Sequence, residues 1–363
     1  MKRFKLNPVS IFCVSMLVLS GCGTAPADDF KSYDLNSFDM VDLSSVEPEI
    51  ISRTEMVMGM PFDMCMVSDS IVAFKDTRTE SQLWLLNVNN GDFAQCLYRG
   101  NGPKECLYVT NIWSDDGVLF AGGAQDGKVM KITVNPDSLS GDAECISTMS
   151  DSFMKITALS DSQLLYAPLS KPEVRYLLAC MDGTVTDTVG VFQTDKLEEG
   201  VAPNNALFQM QIALSPDKKH MVSSNMSWNR TEIYSVPFDG VMVLNGPMEI
   251  ESKAVAVRTE FGTRFGQKPD WHMFAGVSAC NDGFALGFIG RELKEREDYL
   301  KGVESVLFFD WNGNPTKMVR LDRDVFDFTV DFDNMAIYAI VIDPVPAVLK
   351  YSLPLSYDEL MGR

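Results

Sequence analysis

Short apolar runs alternate with polar turns along most of the chain, and residues 63–103 show the pattern clearly. Four runs lie at Asp63–Val67, Ser70–Lys75, Leu83–Val88 and Phe93–Tyr98, and turn-forming residues such as Asp, Asn, Gly and Ser separate them. Such runs are typical of antiparallel strands joined by hairpins. The third run is apolar on both faces, which indicates a sheet that is covered on both sides. A meander of this kind must be stacked between others like it, so the stretch predicts one blade of a propeller.

The same unit recurs along the chain. A short turn that carries Asp lies between two apolar runs six times, at Asp69, Asp116, Asp161, Asp217, Asp282 and Asp333. Repeats of about 40–50 residues indicate a propeller, and six turns predict an all-β, six-bladed β-propeller of four-stranded antiparallel blades. The last blade has room for only about three strands before Arg363. We therefore expect an N-terminal strand within Val41–Met58 to complete it and close the ring.

The first residues have the composition of a bacterial secretion signal. Three of the first five are basic, and an apolar segment follows that is too short to span a bilayer. We interpret residues 1–21 as a signal peptide. It ends in Leu19-Ser20-Gly21-Cys22, which resembles the lipobox of bacterial lipoproteins. That resemblance implies that the Cys22 thiol carries a diacylglyceryl group and that Cys22 is the first residue of the mature chain.

The lipobox determines the predicted domain organisation and cellular location. We interpret residues 22–40 as the lipidated cysteine and a flexible tether, and residues 41–363 as the propeller. Two or three acyl chains hold a protein on a membrane essentially permanently. The predicted partner of the N-terminus is thus a lipid membrane, and the predicted location is the outer membrane, facing the periplasm or the cell surface.

Charge and cysteine content narrow the classes of partner and cofactor. The chain has 50 acidic and 31 basic residues, a net charge of −19, which argues against nucleic acid as a partner. Six cysteines follow Cys22 without any C-x-x-C spacing, so a zinc site is not predicted: Cys65, Cys96, Cys106, Cys145, Cys180 and Cys280. Secretion permits disulfides, whereas strand positions favour buried free thiols, and both states stay open.

One turn carries a family signature. Residues 98–105 read Tyr-Arg-Gly-Asn-Gly-Pro-Lys-Glu, which resembles the G-x-G-P-x-E signature after the first blade of the TolB-like six-bladed propeller lipoproteins of Bacteroidetes. Cys106 follows where that pattern carries an aromatic residue. The resemblance implies the propeller fold and an envelope location, without an assigned biochemical activity. From the residues themselves, we expect Gly100 and Gly102 to adopt positive φ at a crossover between blades.

Catalytic candidates are few. The chain has two histidines, His220 and His272, and neither a Gly-x-Ser-x-Gly elbow nor a His-x-x-x-His pair. His220 lies in a polar turn and is expected to be exposed. The aspartates between Asp322 and Asp333 could contribute to a Ca²⁺ site, but they lack the EF-hand spacing, and we interpret them as a solvated edge. No cofactor is predicted.

These observations favour a non-catalytic binding or scaffold module. In a propeller, the loops that enter each blade share one face with the loops between its second and third strands, and aromatic and Arg residues on such loops are typical of binding surfaces. Seven residues are predicted to form a ligand-binding rim there: Arg99, Trp228, Arg230, Phe265, Trp271, His272 and Arg291. Alternatively, the two tryptophans fill gaps between blades.

The class of ligand stays open at this stage. An envelope protein, a peptide or a glycan would suit the predicted rim, and a purely structural role in an envelope complex is a further possibility. The competing hypothesis is a Ca²⁺-dependent, lactonase-like hydrolase with the metal in the central channel. That hypothesis requires acidic side chains to converge from the inner strands.

Overall fold

The computed structural model describes residues 29–52, 56–171, 173–190, 192, 197–205, 209–259, 262–295, 298, 301–342 and 345–363. For residues 29, 257–259 and 262–265 it describes the backbone only. The predicted signal peptide and Cys22 lie outside the described residues. Within them, no helix is long and apolar enough to cross a bilayer.

Short N-terminal elements precede six blades. They are β1 (Asp29–Ser32), a 3₁₀ helix (Leu35–Ser37), β2 (Asp39–Asp42) and β3 (Glu49–Ile50). Blade 1 contains β4 (Pro61–Ser68), β5 (Ile71–Asp76), β6 (Ser81–Asn87), β7 (Phe93–Arg99) and β8 (Glu105–Cys106). Blade 2 contains β9 (Val109–Asp115), β10 (Val118–Gly123), β11 (Lys128–Asn135) and β12 (Ser140–Thr148). Blade 3 contains β13 (Phe153–Ser160), β14 (Gln163–Pro168), β15 (Tyr176–Cys180) and β16 (Val185–Val189).

The second half of the chain continues the ring. Blade 4 contains β17 (Met210–Leu214), β18 (His220–Asn225), β19 (Arg230–Ser235) and β20 (Gly240–Asn245). A separate hairpin follows, formed by β21 (Lys253–Thr259) and β22 (Gly262–Lys268). Blade 5 contains β23 (Trp271–Ala279), β24 (Gly283–Glu292), β25 (Val303–Asp310) and β26 (Pro315–Val325). Blade 6 contains β27 (Asp327–Asp331), β28 (Ala336–Val341) and β29 (Ala347–Ser352), and a short helix α1 (Tyr357–Leu360) ends the chain.

The predicted six-bladed propeller is confirmed. Strands within each blade pair in chain order, and each predicted Asp turn joins the first strand of a blade to the second. Every residue of β5 and of β28 is buried, because a neighbouring blade covers each face of these sheets. Apolar residues on both faces were the signal in the sequence, and their burial between blades explains that pattern.

The N-terminal segment closes the ring and also wraps around it. β3 pairs with the last strand of blade 6 through Glu49 and Lys350, which confirms the predicted closure. In addition, β1 and β2 add parallel outer strands to blades 4 and 5. Phe38, between them, packs edge-on against Phe309 with ring centroids 5.2 Å apart. Residues 29–40, assigned to the tether from sequence, therefore pack on the propeller because they carry strand pairing and an aromatic anchor.

The signature turn has a packing role rather than the predicted backbone role. Neither Gly100 nor Gly102 adopts positive φ, so that expectation was wrong. Instead, the Glu105 side chain folds back over the turn, and its Oε2 accepts a hydrogen bond from the Gly102 N–H at 2.8 Å. A Cβ on Gly100 would lie 2.0 Å from the same oxygen. The glycines are needed because the carboxylate lies directly against the backbone.

Gly100→Ala is expected to lower the free energy of unfolding by about 1–3 kcal/mol, since the methyl group would displace the Glu105 carboxylate from the Gly102 N–H. Urea denaturation measures the loss. In a Glu105→Ala background, the same glycine change should cost much less, because the carboxylate that it displaces is already gone. Equal losses in the two backgrounds would contradict this account of the signature.

Candidate functional site

The inner strands of the six blades surround a central cavity of about 870 Å³. Each blade contributes a stretch of its first strand, and Tyr357 of α1 adds to the wall. The cavity extends to the turns between first and second strands, where Asp69, Asp116 and Asp333 are exposed. We call the end of the cavity at these turns its mouth. The opposite end of the cavity is its floor, formed near the beginnings of the inner strands.

Bulges in the inner strands shape this floor. The pairing register shifts near the beginnings of β4, β9 and β13 and in the middle of β23, which leaves Asp63, Thr110, Met154 and Gly276 without direct partners in their ladders. Asp63 has φ of 60° and Gly276 has φ of 71°. Bulges commonly redirect a side chain beside a functional site, and a non-glycine residue at positive φ is uncommon. The floor is therefore a specialised part of the ring.

Asp63, which is half-buried, is the centre of a charge cluster at the floor. Its Oδ2 accepts a hydrogen bond from Lys75 Nζ at 3.1 Å and lies 3.7 Å from Lys155 Nζ. Lys75 Nζ also donates to the Thr110 carbonyl at 2.6 Å. Burial alone would raise the pKa of Asp63, but the charges of Lys155 and Lys75 outweigh burial and lower it. Burial lowers the pKa of Lys75 to about 8, so the cluster combines an ionised acid with a weakened base.

Asp327 is the second acid of the floor and has the opposite character. Its Oδ2 accepts the Asp63 N–H at 2.5 Å, and its Oδ1 accepts the Phe328 N–H at 2.8 Å. Gly276 makes room for it, since a Cβ there would lie 2.7 Å from Asp327 Oδ1. Burial, and then the negative charge of Asp63, raise the pKa of Asp327 to about 7. The two acids thus differ strongly in protonation at neutral pH, as acids at functional sites often do.

An ion pair crosses the edge of the mouth. Lys218 of the blade 4 turn contacts Asp115 of blade 2, with Nζ and Oδ2 2.5 Å apart, although blade 3 lies between them in the ring. The neighbouring Asp217 N–H donates to Asn281 of blade 5 at 3.0 Å. Tyr357 OH donates to Asp282 Oδ2 at 2.7 Å. The turns around the mouth are therefore bound to one another by polar contacts.

Two residues of the predicted rim are buried. Trp228 is 1% exposed and packs in the core shared by blades 4 and 5. Arg230 is 6% exposed, and its Nε donates to Glu232 Oε1 at 3.0 Å. Both therefore lie inside the ring, and their assignment to an exposed rim is corrected. A tryptophan in the loop between second and third strands can pack on the next blade, so the gap-filling alternative describes Trp228.

The remaining rim residues divide into two places. His272 and Arg291 are paired across β23 and β24, and Trp271, next to His272, packs partly on the same core. Arg291 also contacts the carboxylates of Glu304 and Asp324. Arg99 lies on blade 1, where it donates to the Thr77 carbonyl at 3.1 Å. The side chain of Phe265 is outside the described residues. The seven do not form one rim, and a binding role for the half-buried group on blade 5 stays a prediction.

The aspartates of β27 and His220 are more buried than the sequence analysis predicted. Asp327 and Asp331 are 7% and 5% exposed and line the cavity, so the idea of a solvated edge was wrong for them. Their strand is the innermost of blade 6, so both residues lie beside the cavity rather than at an outer edge of the ring. His220 is half-buried rather than exposed, because its ring stacks on Trp311 with centroids 4.9 Å apart.

The Ca²⁺-dependent hydrolase hypothesis requires metal ligands that converge at one point. Among the described residues, no group of three or more His, Cys, Asp or Glu side chains is arranged to hold a metal ion. At the floor, two lysines lie against Asp63 and already neutralise it. The six cysteines of the described part are unpaired, and burial raises the pKa of the Cys65 thiol in the cavity wall. A buried, protonated thiol is a poor nucleophile.

Sequence reasoning missed the charge cluster at the floor, although one signal was present. Lys75 ends an otherwise apolar run that includes Val72 and Phe74, and a charged residue of a buried strand is rarely fully buried without a partner. No local pattern identified Asp63 or Lys155 as that partner, because Lys155 comes from a different blade and Asp63 reaches the lysine only through a bulge.

Comparisons with known proteins agree on the fold. A profile of the family described as TolB-like 6-blade propeller-like matches residues 44–333. A Bacteroides fragilis protein inferred to be exported has a similar structure, with 11% identity, a TM-score of 0.53 and coverage of 88% of this chain and 98% of that chain. A duf4221 family member from Bacteroides vulgatus shows 10% identity, a TM-score of 0.51 and coverage of 81% and 92%. Such low identity shows the fold alone, and no curated protein matches the chain in sequence.

Proposed function

The chain belongs to the TolB-like six-bladed propeller family, and from that premise we propose that it is a lipid-anchored envelope protein that binds a small polar ligand in its central cavity without catalysis. The observation that carries this proposal is the cavity itself. Its volume of about 870 Å³ lies within the usual range for small-molecule sites. Polar groups line it at a rigid part of the fold, which is what a selective binding site requires.

The chemistry of the wall favours binding over catalysis. Gln211, Ser278 and Thr329 add amide and hydroxyl groups to the wall, and such groups orient a polar ligand by hydrogen bonding. Covalent catalysis needs a nucleophile with an adjacent base. Among the described wall residues there is no histidine, and burial keeps the Cys65 thiol protonated. The acid pair at the floor is bound by lysines and backbone N–H groups, which suits charge recognition.

The proposed location in the cell envelope rests on the sequence. The lipobox ending at Cys22 supports an N-terminal lipid anchor in the outer membrane, and the resemblance to lipoproteins of Bacteroidetes agrees with it. The similar B. fragilis structure is of a protein inferred to be exported, which is consistent with the same compartment. An anchor at the N-terminus would leave the cavity free to exchange ligand with the surrounding fluid.

A plug in the cavity tests the proposal even while the ligand is unidentified. Gln211 lines the cavity and is half-buried, so the bulkier indole of Gln211→Trp should obstruct ligand binding there. After detergent extraction from membranes, mass spectrometry of the denatured protein should find a small molecule with wild type that is reduced at least about tenfold with the variant. Thr133→Trp, at an exposed position of β11, is the control and should resemble wild type.

Identical small-molecule profiles for wild type and the plugged variant would contradict binding in the cavity. The same preparations test the anchor, because a Cys22→Ala chain should move from the membrane fraction to the soluble fraction.

A further inference from the structure

The cavity wall carries far more acidic than basic groups. Among the described residues, eight carboxylates line it, whereas only two ammonium groups do, those of Lys155 and Lys218. The acids are Asp63, Asp69, Asp115, Asp116, Asp282, Asp327, Asp331 and Asp333. A cleft with walls of one charge sign and low dielectric focuses its potential and concentrates ions of the opposite sign. The electrostatic character of the cavity therefore favours a cation.

The chain itself places alkylammonium groups on these carboxylates. Lys155 lies 3.7 Å from Asp63 at the floor, and Lys218 lies 2.5 Å from Asp115 at the mouth. Each lysine of the described wall is thus bound to an aspartate. Carboxylates of this wall can therefore be reached by an ammonium group on a flexible carbon chain, although those of Asp63 and Asp115 are already occupied by the chain's own lysines.

The wall carboxylates that form no ion pair with a described lysine or arginine are concentrated in one sector of the ring. Asp333, Asp69 and Asp116 lie on the turns of blades 6, 1 and 2, which are consecutive around the ring. Among the described residues, no lysine or arginine forms an ion pair with any of these three side chains. The Asp331 carboxylate, below them, accepts from N–H groups of its own turn, such as the Asn334 N–H at 2.9 Å. Within the described part of the chain, the sector has acceptors without a cation.

We propose that the ligand of the cavity is a linear organic polycation of the alkylamine class, whose ammonium groups bind the carboxylates of blades 6, 1 and 2. This inference rests on the proposed function, since it names the class of ligand for the same cavity. The aliphatic segments between ammonium groups would lie along the apolar part of the wall, where Phe332 and Trp113 are half-buried. In this arrangement Lys218 is a competitor, because its own ammonium group already occupies Asp115.

Calorimetric titration of the detergent-solubilised full chain with spermidine tests the proposal. Suberate and 1,8-octanediol, of similar length but anionic and neutral, are the matched probes and should show no binding. The double variant Asp116→Asn, Asp333→Asn should weaken spermidine binding at least about tenfold. Lys218→Met should strengthen it, because that change removes the internal competitor and one positive charge. Binding should also weaken as salt is raised.

A second double variant controls for net charge. Asp137 and Asp239 are exposed aspartates in outer turns of blades 2 and 4, outside the cavity wall. Replacing both by Asn changes the charge by the same amount and should alter affinity less than about twofold. Equal losses in the two double variants, or no spermidine binding by wild type, would overturn the proposal. If the Gln211→Trp plug still removes a co-purifying molecule, only the ligand class fails; if it does not, the proposed function fails as well.

Discussion

Replacement of Glu232 by Gln is expected to lower the free energy of unfolding by about 3–5 kcal/mol, the usual cost of breaking a buried ion pair. Glu232 is 2% exposed, and it lies between Arg175 and Arg230, which are 1% and 6% exposed. Its Oε1 accepts from Arg230 Nε at 3.0 Å, and its Oε2 lies 3.5 Å from Arg175 Nη2. Burial raises the pKa of Glu232, but the two guanidinium charges outweigh burial and hold it below its usual value. Gln would leave two permanent positive charges buried without this counter-charge.

Urea denaturation at neutral pH measures this loss, and Tyr234→Phe is the matched control. The Tyr234 hydroxyl donates to Glu232 Oε2 at 2.8 Å, so its removal takes away one hydrogen bond and no charge. That variant should lose only about 1 kcal/mol. Similar losses in both variants would show that the charges between blades 3 and 4 do not stabilise the ring. Arg230 is thus expected to act in stability, in contrast to the ligand contact predicted from sequence.

Between about pH 4 and 7, Asp327→Asn is expected to remove a decrease in stability that wild type shows as the pH rises. The pKa of Asp327 is raised from 3.8 to about 7 in the folded protein. Over this interval the folded state binds a proton at Asp327 that the unfolded state has released. The free energy of unfolding therefore falls with increasing pH, by at most about 1.4 kcal/mol per pH unit for this one group. The penalty is complete above pH 7 and absent below pH 4.

The comparison needs slopes rather than single values. Asn has one carbonyl oxygen, so it cannot accept both N–H groups that Asp327 accepts, those of Asp63 and Phe328, and the variant carries a cost that does not vary with pH. Urea unfolding of both proteins at several pH values gives the difference in slope. Asp137→Asn, a change at an exposed position, should run parallel to wild type. Parallel curves for Asp327→Asn as well would refute the buried, protonated state of Asp327.

Much of the architecture follows from local patterns. Short apolar runs indicate the strands, and turns such as Asp116-Gly117 indicate where the chain reverses. Both signals depend on short-range backbone preferences, so the number of blades and the closing strand near Glu49 were predicted correctly. The signature turn was recognised by its resemblance to the family motif. Its physical role was not, because the contact between Gly100 and the Glu105 carboxylate depends on how the turn folds back on itself.

The candidate site depends on contacts that no local pattern contains. Asp63 and Asp327 are hydrogen-bonded although 264 positions separate them along the chain, and Lys155 joins them from a third blade. A sequence shows that such residues are charged, but not that the ring brings them to one floor. Likewise, Trp228 in a loop has the same sequence signal whether it faces solvent or packs against the next blade. Repeating units follow from backbone preferences that act over a few residues, whereas the cavity and its charges exist only because six distant strands meet around one axis.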